Sequence, residues 1–127
     1  MDKLDRADEI MSRNGISLIE EGLGAWGHDK INSLIAIAEL YNLKVPILGG
    51  DVCIMDDKGE FYLTYDNWYC DRNIDESTDD YAQRSCLAAE SYIRKYHVED
   101  KQGNILFILV LDIPHRRNFY KDYYDSH

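Results

Sequence analysis

The chain has 127 residues, with 24 acidic and 14 basic side chains and a formal net charge of −10. That length suits one domain able to bury a core without disulfides or metal, and 45% hydrophobic with 30% charged residues describes a folded rather than a disordered chain. The negative balance argues against nucleic acid as a partner, since phosphates would be repelled, and the longest apolar run, ILFILVL at 105–111, is too short to span a bilayer.

The opening MDKLDRADEIMSRNG is charged throughout and lacks the form of a signal peptide, so a cytoplasmic location is expected. Its Leu4, Ala7, Ile10 and Met11 fall at helical spacing and predict a helix over 2–13. Asn14-Gly15 stops it, because both residues accept the left-handed conformation. Ser-Leu-Ile-Glu at 17–20 fits a capping box and a short turn. GLGAWG at 22–27 is expected to be a connector with Trp26 tucked inward. Asp29 is a plausible N-cap for a helix over 30–42. Ile31, Leu34, Ile35, Ala38 and Tyr41 form one stripe of that helix, and Ile37 and Leu40 widen it, which implies deep packing.

VPILGGDVCIM at 45–55 is expected to be a strand, with a bend or bulge at Gly49-Gly50. Asp-Asp-Lys-Gly at 56–59 suits a type I turn closed by a left-handed glycine, and 60–69 returns. Pairing Asp56 with Glu60 sets Met55 against Phe61, Cys53 against Leu63 and Asp51 against Tyr65. Both faces of this hairpin are partly apolar, so both need cover. The polar stretch 70–77 leads into a helix capped by Ser77 or Thr78 and running to about 97, with Asp79 and Asp80 favourable to its dipole. ILFILVLDI at 105–113 is expected to be a buried, central strand. The aromatic tail from Pro114 should add an edge strand or lie against the body. The fold class is thus α+β, one domain over 1–127, in the order α-α-β-β-α-β with helices packed on the sheet.

The charge is concentrated. Residues 51–80 hold ten acids and two bases, net −8, whereas 1–50 carry −3 and 81–127 carry +1. Such a field promotes solubility and can steer a basic partner. Asp56, Asp57 and Glu60 sit at a turn, where Asp is favoured for its own backbone chemistry. They lack the alternating donors and terminal Glu of an EF-hand loop. Asp51 and Asp66 approach across the open end of the hairpin and are the one pair to weigh for acid–base work, the reading of a small hydrolase or metal-dependent enzyme. No phosphate-binding loop, nucleophile elbow or paired-histidine metal motif supports it. Cys53, Cys70 and Cys86 are odd in number and unpaired by spacing, which points to buried reduced thiols. No cofactor or metal is expected. Ten tyrosines are more telling. Tyr62, Tyr65, Trp68 and Tyr69 cluster beside the acids, and such residues either line a core edge or anchor an interface.

LGAWG, VPILGGDV and YLTYDNWYC together resemble the immunity proteins of bacterial polymorphic toxin systems, in particular the immunity protein 40 family, over roughly residues 15–113. The resemblance implies a non-enzymatic cytoplasmic protein that binds and blocks a cognate toxin. It supplies no contact residues. From charge and aromatic content, the expected partner-binding set is Asp56, Asp57, Glu60, Tyr65, Asp66, Trp68, Tyr69 and Asp71. A basic nuclease toxin would fit it, and a membrane or nucleic acid would not. A regulatory subunit for an endogenous protein would carry the same features. The oligomeric state is not legible.

Overall fold

The computed structural model describes residues 2–18, 26–98 and 104–113. Its elements are α1 (Lys3–Ser12), β1 (Ile16–Ser17), β2 (Trp26–His28), α2 (Lys30–Leu43), β3 (Ile47–Met55), β4 (Phe61–Tyr69), α3 (Thr78–Lys95) and β5 (Asn104–Leu111). The five strands form one antiparallel sheet in the order β1-β2-β5-β3-β4. The architecture is α+β, as expected. β1 and β2 are additions, found where a capping box and a glycine connector were predicted. The expected turn at 99–103 and the aromatic tail lie outside the described residues.

Local chemistry accounts for the helix boundaries. Asp2, Asp29 and Ser77 each stand in extended backbone and accept a hydrogen bond from the N–H three residues on. Asn14 and Lys44, at φ 58° and 62°, turn the chain beyond α1 and α2. Helices α2 and α3 run antiparallel. Lys30 Nζ donates to the carbonyls of Arg94 and Tyr96, and Gln83 Nε2 donates to Tyr41 Oη at the other end. Both lie over one sheet face. There Tyr96 meets Phe107 edge-on at 5.5 Å, and Ser85 Oγ accepts from the Ile47 N–H. The opposite face is buried too, at Cys53, Leu106, Ile108 and Val110.

The apolar stripe foreseen for α2 is corrected. Ser33, Ala36, Ile37 and Leu40 are the buried residues, while Ile31 and Ile35 stand 72% and 50% exposed. A helix apolar on all sides carries no periodic signal to select its inner face. Local fit selects it instead: Ser33 Oγ donates to the His28 carbonyl, and small Ser33 and Ala36 admit close approach.

Gly50 pairs with Leu109 on one side and Trp68 on the other. A Cβ at position 50 would lie 2.6 Å from the Ile108 carbonyl oxygen and closer still to Trp68 Cη2. The missing side chain is therefore the slot that lets the indole lie flat. Trp68 then stacks on Tyr92 of α3, with centroids 4.7 Å apart and planes at 28°. This clamp ties the edge strand β4 to the helical layer. The expected irregularity in β3 is real: its register with β5 shifts between Ile47 and Gly49.

His28 is almost wholly buried, with its ring beside the Met11 and Arg13 carbonyls at the end of α1. Burial lowers its pKa below the ordinary 6.5, against the raising influence of the Arg13 and Met11 carbonyls and of Asp29. Below pH 6.5 the unfolded chain takes up the proton more readily than the native one. The stability linked to His28 is thus present above that pH and lost as pH falls through the lowered native value.

Two outcomes follow in denaturation experiments. Gly50→Ala should cost about 1–3 kcal/mol or more by overpacking, and Leu109→Ala about 2–5 kcal/mol by leaving a cavity. Asp57→Ala on the exposed turn should stay within about 0.5 kcal/mol; equal urea midpoints for the three would refute this placement. Second, stability measured from pH 7 downward should fall less steeply in His28→Gln than in the parent. An unchanged slope would show that His28 does not titrate between the two states.

Candidate functional site

The hairpin expectation holds from the turn to its middle. Asp56 N–H donates to the Glu60 carbonyl, Gly59 sits at φ 81°, and Met55 pairs with Phe61, Ile54 with Tyr62 and Cys53 with Leu63. Beyond that point the register shifts by two, so that Asp51 opposes Asn67 rather than Tyr65. The extra residues on β4 are absorbed at Tyr65, which adopts φ 68°. For an aromatic residue this is strained backbone, costing on the order of 1–3 kcal/mol. Thr64 holds the bulge together: its hydroxyl donates to the Val52 carbonyl at 2.8 Å and accepts from the Asp66 N–H at 3.0 Å. Asp66 in turn accepts from Tyr96 Oη at 2.7 Å.

The bulge decides several expectations at once. It turns Tyr65 outward to 78% exposure. It interrupts β4, the outermost strand among the described residues, which disfavours addition of a further strand. Strand alternation puts Asp51 on the sheet face away from Trp68, whereas Asp66 is held by Tyr96 on the helical side. Burial and both carboxylates, Asp66 ahead of Asp51, raise the pKa of the Tyr92 phenol. Among the described residues no three His, Cys, Asp or Glu side chains gather as a metal site. Burial holds Cys53 and Cys86 up at about 12, so neither is a thiolate at neutral pH.

The sequence-predicted partner residues are spread along β4. At one end lies the turn. Asp56 is committed to it: its carboxylate accepts from the N–H groups of Lys58 and Glu60, and Tyr62 Oη lies 3.2 Å away. The Glu60 backbone bond leads the causes that lower its pKa. Glu60 accepts from Tyr62 Oη at 2.8 Å, which pushes that phenol up to about 12. Asp57 is exposed. Midway stand Tyr65 and the half-buried Asp66. Tyr69 is 55% exposed, while Trp68 is 8% exposed and contributes its surface to the fold. Exposed Asp71 begins the loop at the far end. Nine strand residues place the two acidic ends roughly 30 Å apart. That is the breadth of one partner's share of an ordinary interface, about 800 Å².

Sequence reading placed the polar stretch after β4 but missed how it is held and what it displays. Arg84 of α3 grips it, with Nε and Nη2 each 2.8 Å from the two Glu76 carboxylate oxygens and Nη2 also 2.6 Å from the Asp71 carbonyl. Hydrogen bonding to Arg84 holds the Glu76 carboxyl down at about 2. Tyr81 Oη donates to the Cys70 carbonyl, and Arg72 lies 5.1 Å over the Tyr81 ring. Asp75 turns the tip at φ 66°. Mounted on this braced loop, Ile74 is 94% exposed. Its one signal in the sequence was a lone apolar residue within CDRNIDESTDD.

A protein-family model described as immunity protein 40 matches residues 17–111, well over half of the chain. No curated protein and no solved structure gives a significant match.

The Arg84 grip sets a test. Arg84→Lys keeps the charge but loses the two-point geometry. Amide exchange across 71–76 should quicken while exchange in β5 stays slow; unchanged loop exchange would mean the bidentate pair does not brace it.

Proposed function

Since the chain belongs to the immunity protein 40 family, we propose that it works by binding a cognate bacterial toxin and covering the toxin's active site or substrate surface. The contact face is the β4 edge with its two flanking turns. The observation that carries this reading is the coincidence of charge and exposed anchors. The net −8 segment at 51–80 also holds Tyr65, Tyr69 and Ile74, large and exposed on a backbone fixed by the Thr64 bulge and the Arg84 brace.

Preorganisation matters for affinity. A side chain already fixed in its bound geometry loses less entropy on association. Tyr65 offers a rigid amphipathic ring and Ile74 an apolar knob, while Asp57, Asp66, Asp71 and Asp75 supply the rim. The interrupted edge favours side-chain contacts over strand addition. A toxin that acts on nucleic acid presents a basic groove, and such a groove fits an acidic rim. No chemistry by the immunity protein itself is required, and its place of action is the cytoplasm.

Kinetics with the product of the adjacent toxin reading frame test this. Rim charges act mainly on association, central anchors on dissociation. The variant Asp57→Lys with Asp71→Lys should associate about tenfold more slowly at low salt and lose most of its salt dependence. Ile74→Ala or Tyr65→Ala should speed dissociation on the order of tenfold or more, as loss of an anchor does. Circular dichroism controls the fold. Unchanged association of the charge-reversed protein at low salt would place the contact elsewhere.

A further inference from the structure

Helix α2 turns an apolar stripe away from its own core. Ile31 and Ile35, with Ala38 one turn on, are exposed, and Leu34 between them is half-buried. On the neighbouring helix, Leu87 is 50% exposed, one turn beyond the Gln83 that hydrogen-bonds Tyr41 of α2. The stripe thus continues across the outer side of the helix pair. Scattered exposed apolar residues need no explanation, but a contiguous row on a helix that is also apolar inside does.

We infer that this face binds a second copy of the chain, with the two α2 helices antiparallel about a two-fold axis. The warrant is the order of side chains in Lys30-Ile31-Asn32-Ser33-Leu34-Ile35-Ala36-Ile37-Ala38-Glu39. Read from either end about its centre, the outward set is a charge, an apolar residue, then an apolar pair. An antiparallel two-fold contact brings residue i against j and j against i. Centred between Leu34 and Ile35, it sets Ile31 against Ala38, Leu34 against Ile35 and Lys30 against Glu39. Ile31 then meets the small Ala38, Leu34 and Ile35 meet at the axis, and each charge meets its opposite. Lys30 and Glu39 already have partners within the chain, the α3 carbonyls and Arg13. They therefore set the register of the pair, and the apolar row supplies its strength.

Charge separates this occupant from the toxin. The net −8 segment would keep two copies apart if they met there, whereas the α2 row holds no acid between Lys30 and Glu39. The neutral side is where a chain of net charge −10 can approach its like. Toxin binding along β4 leaves that side uncovered, so the pairing stands independently of the proposed function.

Sedimentation of the whole chain over a wide concentration range tests the pairing. The parent should move from 14.8 kDa toward twice that mass as concentration rises. Ile35→Glu, an exposed change that keeps a helix-forming residue, should hold the monomer mass throughout with an unaltered circular dichroism spectrum. Ile35→Cys should form an interchain disulfide under mild oxidation, and the parent should form none because Cys53, Cys70 and Cys86 are all buried. A parent that stays at monomer mass up to its solubility limit overturns the inference. So does a dimer that Ile35→Glu leaves intact, or an Ile35→Glu protein whose only defect is weaker toxin binding.

Discussion

One contact organises the molecule: the indole of Trp68 lying in the slot left by Gly50 and stacked on Tyr92. An edge strand has only one neighbour to hold it, and its outer hydrogen bonds go to water. Among the described residues β4 is such a strand. The clamp adds a side-chain attachment through to α3, and aromatic stacking of this kind contributes about 0.5–1.5 kcal/mol beyond the area it buries. Gly49-Gly50-Asp51 and Tyr65-Asp66-Asn67-Trp68-Tyr69 are thus two halves of one device. Their spacing in the sequence is the spacing of a paired hairpin.

With the strand secured, strain can be stored on it. Tyr65 occupies a backbone conformation that its side chain disfavours. Thr64, Asp66 and Tyr96 hold the surrounding chain in place by hydrogen bonds. The outcome is a surface with its shape fixed beforehand, acidic at both ends and aromatic between. The loop braced by Arg84 extends that surface by one apolar residue. On the far side of α2 the character reverses, to a row of aliphatic side chains with few charges. Two faces of such different chemistry suit two different partners.

Much of this was legible in the sequence, for physical reasons. Capping residues Asp29 and Ser77, the Asp-Asp-Lys-Gly turn and the all-apolar strand at 105–111 each act over a few neighbouring residues, so their patterns are local. The hairpin register was readable only as far as Cys53–Leu63, because the bulge depends on Thr64 reaching the backbone of another strand. β1 and β2 escaped notice: two or three residues carry no periodicity, and β2 is Trp-Gly-His. The face of α2 was misjudged because apolar residues surround that helix. The acidic excess at 51–80 could be read from the residues alone. That Trp68 is committed to the fold while Ile74 is exposed depends on tertiary packing, which no local pattern encodes.

The central claim is that the β4 edge and its two flanking turns form the toxin-binding face. Hydrogen exchange of the protein, alone and saturated with its cognate toxin, tests it most directly. The account predicts added protection across 56–76, centred on 64–74, with exchange in α2 at 30–43 unaffected by the toxin. Protection centred on α2, with 56–76 exchanging as in the free protein, would contradict it.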